Sequence, residues 1–141
     1  MIRLAEAGDG PDITRLLTQL DYPGTEQFLP GKLAALLADP SCIILVWTEP
    51  VGPILAFLFL YFIPQIALKG DFARITYFAV DESAQSKGIG RQLEAEATRL
   101  ARERGCTLLE VHCHSRRIRA HEFYRRQGYE ESPKYLIKKL R

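Results

Sequence analysis

A chain of 141 residues with 47% hydrophobic and 26% charged side chains has the composition of one globular domain with a single core. Its 19 Lys and Arg residues nearly balance 17 Asp and Glu residues, and a net charge of +2 is too small for a protein whose main partner is a nucleic acid. The three cysteines form no C-x-x-C pair, so we expect reduced thiols in a cytoplasmic protein. The N-terminus lacks a signal-peptide pattern, and the most apolar stretch, 54–63, is about half as long as a membrane-spanning helix, which predicts neither export nor a membrane partner.

The first forty residues predict a strand and two helices. Residues 2–5 alternate like a strand, and a Gly-rich break at 8–11 leads into an apolar stripe at helical spacing over 13–20. Leucines at 33–37 mark a second helix. We expect it to begin beyond Pro30, because proline and the glycine after it interrupt the helical pattern there.

Three strands follow. Stretches 42–47 and 54–62 are rich in β-branched and aromatic residues, and the turn residues between them predict an antiparallel hairpin. Residues 72–80 have the composition of another strand.

The last third predicts a long helix from Gly88 to Gly105, a buried strand over 107–113, a short helix over 117–127 and a final strand over 135–140. An exposed final strand would allow a homodimer.

A Gly-containing turn at 85–90 joins strand 72–80 to the long helix. The free N–H groups of a helix start and the positive end of its dipole meet there, which predicts an anion site. Gly88 and Gly90 lack Cβ atoms, so a pyrophosphate can approach the main chain, and basic neighbours can add charge. The spacing is neither G-x-G-x-x-G nor G-x-x-x-x-G-K-[ST], so neither a Rossmann site nor a P-loop is indicated. Without further context, such a glycine pair is more often a simple turn than a binding site.

Two sequence blocks supply that context. QSKGIG at 85–90 follows the small apolar pair Ala79-Val80, and AHEFYRRQGY follows at 120–129. They resemble the motifs [QR]-x-x-G-x-[GA] and A-x-x-F-Y-x-x-x-G-[FY] of the GNAT superfamily of N-acetyltransferases, and the similarity to small bacterial members covers nearly the whole chain. The resemblance implies a single N-acetyltransferase domain over 1–141. The implied fold is α/β (α+β): a mixed, mostly antiparallel, twisted sheet of about six to seven strands flanked by about four helices, with a splay between the fourth and fifth strands.

The same resemblance implies acetyl-CoA as the co-substrate and no metal. In this family the pantetheine arm lies in the splay and hydrogen-bonds main-chain groups of the strand before the cofactor loop. The implied cofactor-binding residues are Phe78, Ala79, Val80, Gln85, Ser86, Lys87, Gly88, Ile89, Gly90, Arg91, Arg117 and Tyr124. Arg117 stands where many members have an Asn that touches the cofactor, and Arg has no acceptor to reproduce that contact. With Arg116 and Arg119 it could pair with a CoA phosphate, an acidic substrate group or only solvent.

Acyl transfer from a thioester to an amine needs an unprotonated nucleophile, a site for the oxyanion and a proton for the leaving thiolate. Tyr124 matches the family position whose phenol donates that proton, which makes it the general acid. Its alternative role is to anchor the last helix as a half-buried aromatic beside Phe123. A main-chain N–H of Val80 or Ala79 can meet the oxyanion.

The general base is where the chain departs from its relatives. Thr76 stands where many of them have Glu, and threonine cannot accept a proton near neutral pH. Glu110, His112 and His114 share one face of the next strand, so each is a candidate base acting through water, although a structural or surface role is commoner for the histidines. The same three residues could suggest a metal site, but no further ligands are evident.

These features predict transfer of an acetyl group from acetyl-CoA to a primary amine of a small molecule, by direct attack through a tetrahedral intermediate. Cys113 leaves a covalent route open, although no His partner is assigned to it. Tyr22, Phe28 and Thr76 are the candidate acceptor-site residues. One alternative is acetylation of a protein or peptide amine. The other is a non-catalytic acyl-CoA-binding module, which the absence of Glu at position 76 favours.

Overall fold

Five strands form one sheet in the order β1-β2-β3-β4-β5. The computed structural model describes residues 1–113, 117–132 and 136–140. The strands are β1 Ile2–Leu4, β2 Cys42–Thr48, β3 Ile54–Ile63, β4 Phe72–Val80 and β5 Leu108–Val111. The α-helices in the described part of the chain are α1 Gly10–Gln19, α2 Leu29–Ala38, α3 Ile89–Glu103 and α4 Ile118–Arg126. None of these helices has both the length and the apolar character needed to cross a membrane.

Neighbouring strands from β1 to β4 are antiparallel, whereas β5 runs parallel to β4. A parallel neighbour requires a crossover connection, and α3 supplies it. The mixed, mostly antiparallel sheet with flanking helices is the predicted fold. The described sheet has five strands, fewer than the six to seven predicted.

Each face of the sheet carries its own core. On one face, Leu93 of α3 packs with Leu58 and Leu60 of β3, and all three are fully buried. On the other face, Leu16 of α1 and Leu33 of α2 lie in a second apolar cluster. The helical spacing of these residues follows from the single apolar stripe that each helix presents to the sheet. Full burial of one such leucine stabilises the fold by about 1.5–3 kcal/mol.

The start of α2 differs from its prediction. The helix begins at Leu29, so Pro30 lies inside its first turn rather than before it. A proline is tolerated there because the N–H that it lacks has no intrahelical acceptor in the first turn. The expected interruption is therefore the beginning of the helix.

Two strand predictions also need correction. The strand expected over 107–113 is shorter, Leu108–Val111, and it is half-buried rather than buried. Of the final strand expected over 135–140, residue 135 lies outside the described residues and 136–140 form no strand. Leu136 and Leu140 are 94% and 91% exposed, and alternation produces a stable strand only where a partner covers one face. A dimer built on that strand stays a prediction.

Candidate active site

A β-bulge at Thr76 determines which side chains of β4 face α3. Phe59 of β3 pairs with Tyr77, but the next residue of β3 pairs with Ile75, which leaves Thr76 between the two pairs. Thr76 Oγ1 donates a hydrogen bond of 3.2 Å to Phe59 O. One extra residue reverses the alternation of a strand, so Ile75 and Phe78 both pack into the α3 core instead of facing opposite sides.

Strands β4 and β5 separate at the same point. Their pairing runs from Phe72–Leu108 to Ile75–Val111. Beyond it, residues 76–80 have no β5 partner among the residues that the structure describes. This is the predicted splay between the fourth and fifth strands. The main-chain N–H and C=O groups on that edge are available to a ligand that lies between the two strands.

The turn at 85–90 connects the separated end of β4 to the start of α3. A 3₁₀ turn, Glu82–Ala84, precedes it, and Gln85 Nε2 donates a hydrogen bond of 3.3 Å to Val80 O, which ties the turn to the strand. Among the residues that the structure describes, no side chain caps the start of α3. The N–H groups of its first turn therefore lack intrahelical partners, and together with the helix dipole they favour an anion in front of the helix.

The two glycines of this turn have different structural roles. Gly88 has φ 80° and ψ 4°, and a Cβ built on it meets nothing within 4 Å. Glycine is favoured at this position because the backbone is left-handed, not because space is short. A Cβ on Gly90 would instead lie 3.4 Å from Phe123 Cε1 and 3.7 Å from Phe78 Cζ, which is ordinary van der Waals contact with two rings.

Four aromatic rings hold α4 against β4 and α3. The Phe78 ring lies edge-on to Phe123, with 5.8 Å between their centroids, and 6.5 Å from Tyr124. Tyr124 contacts Tyr129 at 5.4 Å, and Tyr129 Oη donates a hydrogen bond of 2.8 Å to the buried Glu94 of α3. This packing brings Tyr124 to the same cleft as the turn.

The cleft has a volume of about 640 Å³, which is within the range of small-molecule and cofactor sites. Most of the predicted cofactor residues line it, namely Phe78, Val80, Gln85, Ser86, Gly88, Ile89, Gly90, Arg91, Arg117 and Tyr124. Two do not. Lys87 is exposed outside the lining, and Ala79 is buried in the core on the opposite face of the sheet, so only its main chain is near the splay.

Helix α4 contributes more to the cleft than the sequence indicated. The lining includes Arg119, Ala120, Glu122, Phe123 and Arg126 of α4 and Gln127 just after it, and among these only Arg119 was predicted from sequence as a possible cofactor contact. Positions 119–120, 123 and 126–127 recur at helical spacing around Tyr124. A helical projection of α4 centred on that residue would have found them.

Burial raises the pKa of the Tyr124 phenol well above its usual value of 10. A thiolate at Cys113 would raise it further, whereas the positive charge of Arg117 lowers it. Tyr124 is therefore protonated at neutral pH. Burial also raises the pKa of the Cys113 thiol, again opposed by Arg117, and a protonated thiol is a poor nucleophile.

The predicted bases lie outside the lining of the cleft. Glu110 stands opposite Arg74 in the β4–β5 register and accepts a hydrogen bond of 2.6 Å from Arg74 Nε. Since Leu109 and Val111 pack into the α3 core, Glu110 projects to the opposite face of the sheet. His112 Nε2 lies 3.6 Å from Glu110 Oε1. His114 lies outside the described residues, and among the described residues no three His, Cys, Asp or Glu side chains are placed to hold a metal ion.

The predicted acceptor residues are also separate from the cleft. Tyr22 lies edge-on to Tyr77, with 5.5 Å between the ring centroids, and the rings belong to residues that are 48% and 39% exposed. Burial raises the pKa of Tyr77, and Tyr22 contributes to the rise. Thr76 precedes Tyr77 in the chain, whereas Phe28 contacts Lys32, whose Nζ lies 5.6 Å from the ring centroid. Tyr22, in the loop after α1, thus contacts β4 at the residue next to Thr76, whereas Phe28 and Lys32 lie together at the start of α2.

A model of the Acetyltransferase (GNAT) family matches residues 12–129. The chain belongs to the GNAT family. The match contains the bulge, the splay, the turn and α4, so the cleft lies within the part of the chain that defines membership. The family assignment supports an acyltransferase.

Solved GNAT-like structures share the whole fold. A protein of Agrobacterium tumefaciens assigned as an acetyltransferase is 26% identical, with a TM-score of 0.89 and 99% of each chain covered. A tetramutant of a Bacillus halodurans protein is 21% identical, with a TM-score of 0.87 and 99% of each chain covered. An aminoglycoside acetyltransferase from an uncultured soil metagenomic sample, solved with trehalose, is 23% identical, with a TM-score of 0.83 and coverage of 100% and 96%. A comparison with curated proteins found no significant match.

Proposed function

We propose that this GNAT protein is a cytoplasmic, single-domain enzyme that transfers the acetyl group of acetyl-CoA to a primary amine of a small molecule. The observation that carries the proposal is the cleft, where an uncapped helix start, the separated edge of β4 and a protonated tyrosine meet. The helix start suits a phosphate, the strand edge suits the amide groups of the pantetheine arm, and the tyrosine suits a leaving sulfur.

The cleft residues fit the acyl donor at both ends. In front of α3, main-chain N–H groups can bind the pyrophosphate, and Arg91 and Arg117 can add charge-assisted hydrogen bonds. The open space beside Gly88 leaves the approach to the main chain clear. Along residues 76–80, the amides of the pantetheine arm can pair with the free strand edge as an added strand would.

The reaction requires no covalent enzyme intermediate. The amine nitrogen attacks the thioester carbonyl carbon, the main-chain N–H of Val80 meets the oxyanion, and the C–S bond breaks as the intermediate collapses. Of the two predicted donors, the N–H of Ala79 points to β3, because Asp81 N donates to Leu55 O and alternate residues of an antiparallel strand point the same way. The amine gives up one proton and the sulfur gains one. Tyr124 is the proposed donor to sulfur. Its pKa is raised above the ordinary value for a thiol, about 8.5, so it acts first by hydrogen-bonding the developing thiolate.

Glu110 and His112 remain the proposed bases, and both would act through water because neither lines the cleft. Arg74 opposes the role of Glu110 as a base, because a carboxylate that accepted a proton would lose much of its 2.6 Å hydrogen bond with the guanidinium. Glu110→Gln and His112→Gln separate the two. The variant that loses the base should show a slower kcat with an unchanged KM for acetyl-CoA.

The proposed acceptor approaches from the sheet face opposite α3, beyond the end of α1, where the exposed rings of Tyr22 and Tyr77 meet. Tyr22, Phe28 and Thr76 are the proposed contacts on that side. The aminoglycoside acetyltransferase of similar fold acts on a small amine, which supports this acceptor class. A peptide amine is the nearest alternative, and acetylation rates on matched panels of small amines and peptides with labelled acetyl-CoA distinguish the two.

Two measurements test the proposal. Calorimetry with CoA should show saturable binding, and a thiol-release assay with acetyl-CoA and a broad amine panel should show turnover. Binding without release from any amine would favour a non-catalytic acyl-CoA-binding module, whose support is Thr76 at the position of the usual Glu. Absence of CoA binding would contradict both.

A further inference from the structure

The carboxylate of Asp81 is a buried junction behind the cleft. Asp81 is 8% exposed, directly follows β4 and does not line the cleft. Its Oδ2 accepts hydrogen bonds from Arg15 Nη1 and from Gln19 Nε2, the latter at 3.3 Å. Its Oδ1 accepts from Ser83 N at 2.9 Å and from Ser83 Oγ at 2.7 Å. One oxygen therefore binds α1, and the other binds the segment that leads to the turn.

On the α1 side, the junction is tied to the body of the sheet. Arg15 Nη2 donates a hydrogen bond of 2.7 Å to Ile54 O at the start of β3. Ile54 N donates to Asp12 Oδ2 at 3.1 Å, and Asp81 N donates to Leu55 O at 2.7 Å. These contacts hold Asp81 in place through α1 and β3, neither of which lines the cleft.

On the other side, the junction orders the approach to the turn. Asp81 caps the 3₁₀ turn Glu82–Ala84 through Ser83 N, and Ala84 N donates to Asp81 O at 2.9 Å. Glu82 N donates to Gln19 Oε1 at 3.0 Å, a second link from α1. Ala84 is 1% exposed and lines the cleft. The next residue along the chain is the first of the turn at 85–90.

We infer that Asp81 is a positioning residue for the CoA-binding turn, acting from behind it through the 3₁₀ turn and held by Arg15 and Gln19. The inference rests on the proposed function. A turn that binds an anion through main-chain N–H groups must hold them in one arrangement, and its two glycines cannot supply the rigidity. The carboxylate supplies it from outside the cleft, as a supporting hydrogen-bond network does for a site that it does not touch.

The chain offers a matched control for a purely stabilising role. Asp9 is 7% exposed and accepts hydrogen bonds from Arg3 at 2.8 and 2.9 Å and from Glu6 N at 2.7 Å. It is thus a second buried Asp–Arg pair with a main-chain donor, but it lies in the 3₁₀ turn before α1 and outside the cleft lining. Asp81→Asn and Asp9→Asn remove the same charge from equivalent surroundings.

The test compares CoA binding by calorimetry at a temperature where circular dichroism shows every variant folded. Asp81→Asn should raise the CoA Kd about tenfold, the effect of losing one hydrogen bond to a charged group, and Asp9→Asn should leave it near wild type. The KM for acetyl-CoA should rise with the Kd for Asp81→Asn, while kcat at saturating acetyl-CoA changes much less. An equal Kd for both variants would overturn the inference.

A surface variant keeps the test decisive if Asp81→Asn does not fold. Gln19 is exposed at the end of α1, so Gln19→Ala should fold, remove the hydrogen bonds of Gln19 to Asp81 and Glu82, and weaken CoA binding several-fold. Thr18→Ala is its control, because the Thr18 hydroxyl is exposed and donates its hydrogen bond within α1, to Thr14 O. Wild-type affinity in Gln19→Ala would contradict the inference alone. A wild-type protein without CoA affinity would overturn the proposed function as well.

Discussion

Phe123 lies over Gly90, so that a Cβ on this glycine would stand 3.4 Å from the phenylalanine ring, whereas a Cβ on Gly88 would meet no atom within 4 Å. The two glycines should therefore respond differently to alanine. Gly88→Ala forces a left-handed alanine at a cost of about 1–2 kcal/mol, and relief of that strain by the turn should weaken CoA binding. Gly90→Ala brings an ordinary contact and should bind CoA nearly as the wild type does. Calorimetry and Tm measure both effects, and equal losses in the two variants would mean that the left-handed backbone of Gly88 does not determine CoA binding.

Tyr124→Phe should lower kcat by about 10²–10⁴-fold, the usual contribution of a positioned proton donor, with little change in CoA affinity. The neighbouring Tyr129→Phe is the matched control. It removes the 2.8 Å hydrogen bond to buried Glu94 and should lower stability by about 1–3 kcal/mol without a comparable loss of kcat. Steady-state kinetics and urea unfolding give the two quantities. Unchanged turnover in Tyr124→Phe would leave the tyrosine with only its packing role.

Arg117→Ala should weaken CoA binding through loss of charge at the cleft. The loss should be large at about 50 mM salt and much smaller at about 1 M salt, since screening shortens the reach of an exposed charge. Arg102→Ala removes the same charge from the last turn of α3 and should show neither effect. Isothermal titrations at both salt concentrations make the comparison, and a salt-independent loss would point to packing in place of charge.

The ion pair between Asp9 and Arg3 should make the stability of the fold depend on pH. The guanidinium of Arg3 holds the pKa of Asp9 below its ordinary value of 3.8. A carboxyl whose pKa is lower in the folded state stabilises the fold above the unfolded pKa, and that contribution is lost as pH falls through the folded value. Asp9→Asn should therefore cost about 1–3 kcal/mol at pH 7.

The difference in stability between wild type and Asp9→Asn should shrink progressively below pH 3.8. Urea unfolding of both proteins across the acidic range measures it. A gap that stays constant to the lowest pH at which both fold would show that Asp9 acts without its charge.

Much of the fold could be predicted because its elements are local patterns. Strand β4 has the predicted bounds, and the β2–β3 hairpin and helix α3 follow from apolar runs that end at turn residues. The bulge at Thr76 could not be predicted, because it depends on how β3 and β4 pair rather than on either strand alone. The strand predicted over 135–140 was wrong at 136–140 for the same reason, because an alternating pattern does not show which strand it would pair with.

The candidate site could likewise be predicted only in part. The turn was predicted because Gly88 reflects a backbone requirement that is visible in sequence. The lining from α4 depends on which face of that helix meets Phe78, a matter of tertiary packing. Asp81 carries no motif of its own, and its partners Arg15 and Gln19 lie more than sixty positions away in the chain.

Because of the extra residue at Thr76, the side chains that face α3 are odd-numbered in the first half of β4 and even-numbered in the second half. The first half, around Ala73 and Ile75, closes the core, and the second half, around Phe78 and Val80, forms the wall of the cleft. Deleting Thr76 would bring the second half into simple alternation with the first. Tyr77 would then follow Ile75 directly, so Phe78 and Val80 would still face α3 and Ala79 would still face α1. The deletion would remove only the local bend and extra twist that a bulge gives a strand, at the point where β4 separates from β5.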